Sequence, residues 1–252
     1  MSTGYDPFNA YPPPPPRQLQ LRVPQSKPFW TYALLGANLL MYAVSFLLGP
    51  NFVLSLGAKI NQAIVDGEIW RLGTSMFLHL GVLHIGFNSY ALWLFGPQVE
   101  RPYGQVRFLI IYLLSGLAGS SFSFLLSPYD SVGASGAIFG LIGAMGAYLY
   151  RYRAKFVAGQ SRLMNILMVA GYNLIYGFIS PGIDNWAHIG GLVAGVVLGW
   201  LMAPRYELIQ PDALHVPRLE DQSSPNHWVA GIALVCLGIG LAVAGGWVRW
   251  GG

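Results

Sequence analysis

The sequence has a single cysteine, Cys236, so no disulfide can close within the chain and no cysteine-based metal site can be assembled. Charge is also scarce. Of 252 residues, 14 are Lys or Arg and 10 are Asp or Glu, or 10% together, where an average soluble domain carries roughly 25%. That deficit excludes intrinsic disorder over most of the length and an ordinary water-soluble globule of this size. The net charge of +4 comes from scarce acids rather than a basic cluster, which argues against a nucleic-acid partner. Several chemical signatures are missing too. There is no H-E-x-x-H, since His79 and His84 lie five apart, and no G-x-S-x-G elbow, phosphate loop or dinucleotide fingerprint. No cofactor and no metal is expected.

What is present is long apolar sequence. No charge falls between Lys27 and Lys59, nor in 72–99, 108–129, 131–150, 163–183, 185–204 or 228–248. A helix needs about 20 mostly apolar residues to cross the hydrocarbon core of a bilayer. The windows predict seven transmembrane helices, at about 29–49, 77–97, 107–126, 134–150, 163–180, 186–203 and 228–247. Their apolar character is continuous rather than alternating, which excludes barrel strands. The fold class expected is an all-α polytopic membrane protein.

Lys and Arg in the connections set the orientation. Eleven fall before the first helix and after the second, fourth and sixth; only Lys59, Arg71 and Arg249 fall on the other side. The N-terminus is therefore expected in the cytoplasm and the C-terminus outside. Helices two, four and six then start at the outer surface and run inward.

Residues 1–28 form a separate region. Pro12 to Pro16 favour an extended polyproline II segment without a core, read as a disordered cytoplasmic tail, or alternatively as a docking segment for an SH3- or WW-like partner. No removable signal peptide is evident. Residues 204–227 read as a polar cytoplasmic linker and 228–252 as the seventh helix with an external C-terminus. The segment 50–76 lies outside, and Trp70 beside Arg71 suits a stretch resting partly in the headgroups.

Polar residues inside spans are costly and tend to be functional. Helix two holds His79, His84 and Asn88, helix four opens with Ser135, and helix six has His188 near its start. The orientation brings them to one outer depth. From Ser135 to Tyr150 is 16 residues, about 24 Å of helix against a core of about 30 Å. With Arg151 and Arg153 held at the inner interface, Ser135 lies below the outer surface and the loop before it descends into the membrane. A serine there sits beside free N–H groups that favour developing negative charge; it also fits a plain helix N-cap. His188 shares a face with Gly191, Gly195 and Gly199, while Gly136, Gly140 and Gly143 give helix four a matching small strip. Close approach of the two would bring the imidazole to the hydroxyl, a Ser–His dyad for acyl transfer. Neither Asp130 nor Asp184 has a compelling place as a third member. His84 and Asn88, four apart, share a face and can donate to an oxyanion; interhelical polar glue is their other reading.

In this order the residues resemble the rhomboid intramembrane serine proteases. The resemblance rests on Trp70-Arg71, on His84 to Asn88 as H-x-x-x-N, and on Glu100-Arg101-Pro102-Tyr103-Gly104 as E-R-x-x-G. It rests also on Gly133 to Gly136 as G-x-S-G and on Ala187-His188 with its glycine ladder. It covers about 70–199. It implies a six-helix core, residues 29–203, to which the seventh helix is an addition. It implies Ser135 as nucleophile and His188 as general base and acid. His84, Asn88 and the Ser135 N–H would hold the oxyanion, and Phe139 would pack on the histidine. The external loop would be 50–76 and helix five a lateral gate. The implied reaction is cleavage of single-span membrane proteins near the outer leaflet of the cell membrane, with the lipid bilayer as the other partner. A catalytically silent rhomboid-like binding protein is the alternative; such relatives lack the serine or the histidine, and both are present here. No internal repeat of the kind a small transporter would carry is visible.

Overall fold

The computed structural model describes residues 24–209 and 218–252. Most of the proline-rich tail lies outside the described residues. Seven long helices fill the seven apolar windows: α1 (Phe29–Leu48), then, after three short helices, α5 (Gly81–Tyr103), α6 (Gln105–Leu126), α7 (Ser135–Tyr152), α8 (Gly159–Ile179), α9 (Asn185–Leu201) and α10 (Pro225–Trp250). The short ones, α2 (Pro50–Gly57), α3 (Asn61–Val65) and α4 (Arg71–Thr74), make up the segment between α1 and α5. The protein is an all-α, multi-pass membrane protein.

Four helices, α1, α6, α8 and α10, are individually long and apolar enough to cross a membrane. The central ones escape that requirement for physical reasons. α9 has only 17 residues, and α5 carries His84, Asn88, Glu100 and Arg101. Each turns polar groups inward: Asn88 and Glu100 on α5 and Asn185 and His188 on α9 are buried against other helices, while the opposite face of α5 is largely exposed apolar surface.

α7 and α9 pack most closely. A Cβ on Gly191 would run into the Gly136 carbonyl, one on Gly195 into the Gly140 carbonyl, and one on Gly199 into Ala144. Gly143, expected in the same strip, instead faces Leu192 and Val196. α6 closes the third side, where a Cβ on Gly119 would lie 2.6 Å from the Ala187 carbonyl oxygen. At the far end the Tyr103 hydroxyl lies 3.1 Å from the Ala144 carbonyl oxygen and 2.7 Å from that of Gly199, clasping both helices. Glu100 is fully buried. Its carboxylate accepts the Trp30 and Thr31 N–H groups, both at 2.8 Å. The α1 N-terminus has no cap of its own, so Glu100 satisfies donors that would otherwise be orphaned.

The structure departs from or adds to the sequence reading at three places. The second helix starts at Gly81, not near 77, because Leu78 and Leu80 are extended and Gly81 has φ +78°; His79 therefore precedes the helix. Arg71 does not rest in headgroups. It is buried, ion-paired with Glu68 at 2.5 Å, and donates to the Ser55 and Ala58 carbonyls at 2.6 and 3.0 Å; Trp70 is the exposed member of the pair. The linker after α9 contains an antiparallel ribbon, β1 (Tyr206–Ile209) with β2 (Arg218–Asp221). Arg107 pins it through Asp221 and lies 4.1 Å over the Trp228 ring. Burial pushes the Asp221 carboxyl up, but Arg107 and the N–H groups of Arg205 and Ser223 outweigh it and hold the carboxyl below its usual range.

Candidate active site

The site forms where α7 and α9 begin. Gly133 has φ +127°, a conformation that favours glycine, and a Cβ there would come within 2.7 Å of His84 Nε2. Its N–H bonds the Ser75 carbonyl at 2.9 Å. The next N–H, that of Ala134, donates to His79 Nε2 at 3.4 Å. Both loop amides before the nucleophile are thus already satisfied. α7 starts at Ser135, and the first N–H groups of any helix have no partner within it.

Ser135 is not a capping residue. The flanking position is Ala134, with no side-chain cap. The Ser135 Oγ instead lies 2.9 Å from His188 Nε2. The Phe139 ring stacks on the His188 ring, centroids 4.2 Å apart and planes 13° from parallel. Phe139 is one helical turn beyond Ser135, so the same close approach of α7 and α9 that joins hydroxyl to imidazole also joins the rings.

His188 Nδ1 is buried and has no hydrogen-bond partner among the described residues. The carboxylate nearest in sequence, Asp184, caps α9 by accepting the Ala187 N–H at 3.1 Å and takes a second bond from the Ser123 hydroxyl. The arrangement is a pair, not a triad.

His84 Nδ1 accepts the Leu80 N–H at 3.3 Å. In the neutral ring that leaves the proton on Nε2, the atom beside Gly133. Asn88 donates one amide N–H to the His84 carbonyl at 2.9 Å, leaving the second free. The sequence reading missed the role of His79. It is buried, packs edge-on against His84 with centroids 5.2 Å apart, and holds the Ala134 amide. Only its placement in an apolar window hinted at this; the partner is a backbone amide 55 residues away.

The chain has relatives among known proteins. A family model described as Rhomboid domain matches residues 66–205, more than half of the chain. "Rhomboid protease GluP" of Bacillus subtilis (strain 168) is 43% identical over 173 residues, covering 67% of this chain and 34% of that protein. "RHOMBOID-like protein 9, chloroplastic" of Arabidopsis thaliana is 40% identical over 154 residues, 60% of this chain and 35% of the relative. "RHOMBOID-like protein 6, mitochondrial", also of Arabidopsis thaliana, is 38% identical over 205 residues, 78% and 66% of the two chains. The chain thus spans about a third of the length of the first two. On this match and the fold that carries it, the chain belongs to the rhomboid family.

Proposed function

We propose that the protein is an intramembrane serine endopeptidase that cuts transmembrane segments of single-span membrane proteins near the outer leaflet. The observation that carries this reading is the 2.9 Å approach of Ser135 Oγ to His188 Nε2 at a helix N-terminus below apolar sequence. Ser135 loses its proton to His188 Nε2 as Oγ bonds the scissile carbonyl carbon. The resulting oxyanion is stabilised by the Ser135 N–H and His84 Nε2–H, with the free Asn88 amide N–H as a third donor. His188 then protonates the leaving nitrogen, the C–N bond breaks, and an acyl-enzyme remains. Water repeats the sequence: it gives a proton to His188, attacks the ester, and His188 returns the proton to Ser135. Phe139 fixes the imidazole plane throughout, standing in for an orienting acid.

Entry past α8 fits the packing. The buried residues of α8 lie mostly in its first half, at Gly159, Leu163, Ile166 and Ala170, with only Gly177 buried beyond them. The second half is held to α9 by Asn185, which donates to the Leu174 carbonyl at 2.8 Å, so opening on this side would release that bond. The charge distribution supports an N-terminus in the cytoplasm and a C-terminus outside a cell membrane. A fluorophosphonate probe tests the nucleophile: it is expected to label the purified chain at Ser135, and equal labelling of Ser135→Ala would overturn the reading.

A further inference from the structure

We propose that Lys59 is a positioning residue for the nucleophile: its ammonium, with Asn61, pins the loop before Ser135 at Ser127 and Tyr129, and its backbone pairs with Ser131, whose hydroxyl leads through Ser123 to Asp184. This deepens the dyad reading and rests on it. Residues 127–134 have little regular structure of their own, yet they set where Ser135 begins its helix. Lys59 is fully buried, a state lysine rarely reaches unless paired, and an apolar residue there would cost less desolvation. Its partners indicate what the charge is for. Lys59 Nζ donates to the Tyr129 carbonyl at 2.6 Å and to Asn61 Oδ1 at 3.0 Å. Asn61 Nδ2 donates to the Ser127 carbonyl at 2.8 Å. The Lys59 and Ser131 backbones exchange two hydrogen bonds, both at 3.0 Å. Every second residue of the loop, 127, 129 and 131, is therefore held from one side.

The other side continues the chain. The Ser123 hydroxyl donates to Asp184, so its oxygen is left to accept from the Ser131 hydroxyl, 3.3 Å away. Asp184 in turn caps α9. Ser131 lies four residues before Ser135, and Asp184 four residues before His188. A short loop segment joins Ser131 to the nucleophile and the first turn of α9 joins Asp184 to the base, so a shift at either end is passed to the other. The Asp184 and Asp130 carboxylates pull the ammonium toward its charged form, although burial outweighs them and pushes it down to about 8.

The test measures the fluorophosphonate labelling rate of the full chain in detergent for Lys59→Met, Ser123→Ala and the double variant. Each single change is expected to slow labelling about tenfold, and the double variant no more than the slower single, because both break one unit. With a peptide substrate, kcat normalised to the folded fraction falls while KM stays within about twofold, and the melting temperature, measured alongside, separates this from a loss of folded enzyme, which lowers only the apparent kcat. If Lys59→Met fails to fold, Asn61→Ala removes the Ser127 pin and replaces it in the same cycle. Wild-type labelling rates in the folded single variants, or losses that multiply in the double, would overturn the proposal and leave the dyad standing. A wild-type chain that does not label at all would overturn both.

Discussion

Ser135 and His188 were legible as residues because each is anomalous where it stands, a hydroxyl and an imidazole in apolar windows, whereas Phe139 was indicated only by the family resemblance. Lys59 and His79 were not legible in the same way. Lys59 read only as one cation of the outer side, since its partners, Tyr129 and Ser131, lie some 70 residues away. A buried charge is recognised only by what surrounds it. The stacked Phe139 ring is the most easily probed of the local contacts. An aromatic pair contributes about 0.5–1.5 kcal/mol beyond its buried area. If that stabilises the productive imidazole plane, Phe139→Ala lowers kcat by roughly two- to tenfold. Steady-state kinetics on the folded variant check this, and an unchanged kcat would remove the ring from the mechanism.

At the scale of elements, the glycine strips of α7 and α9 announced a close helix pair, and the structure bears it out with one change of rung, Ala144 in place of Gly143 opposite Gly199. The prediction is positional. Gly195→Val drives a side chain into the Gly140 backbone, whereas Gly238→Val on α10 enters open space. Overpacking costs about 1–3 kcal/mol, so Gly195→Val should melt well below wild type in detergent and Gly238→Val should not. Equal melting temperatures would mean that the two helices do not meet as described. The ribbon was the element that sequence concealed. Residues 204–227 are polar and hydropathy marks them only as outside the membrane; the two described strands are held to the core by Arg107 on α6, which grips Asp221. The helix starts were read to within about four residues: α5 starts four later, because Gly81 adopts a positive φ, and α8 starts four earlier, at Gly159.

For the whole molecule, the opposition of charge-rich and charge-free segments made the multi-pass architecture readable, since the bilayer imposes it on composition. Orientation follows from the same count and has its own test. A cysteine placed at the N-terminus of a Cys236→Ser chain is expected to be shielded from an impermeant thiol reagent in intact cells, and one placed after Trp250 to be labelled. The reverse pattern would invert the topology and move the dyad to the inner leaflet. The central claim is narrower, that the chain cleaves membrane-spanning substrates through Ser135. The most direct measurement reconstitutes the purified full chain with a single-span substrate and follows cleavage by the wild type and by Ser135→Ala. Loss of the nucleophile in a serine protease costs on the order of 10⁶ in turnover, so the account predicts a single product pair from the wild type and none from Ser135→Ala. Undiminished cleavage by Ser135→Ala, or an intact substrate with the wild type, would contradict it.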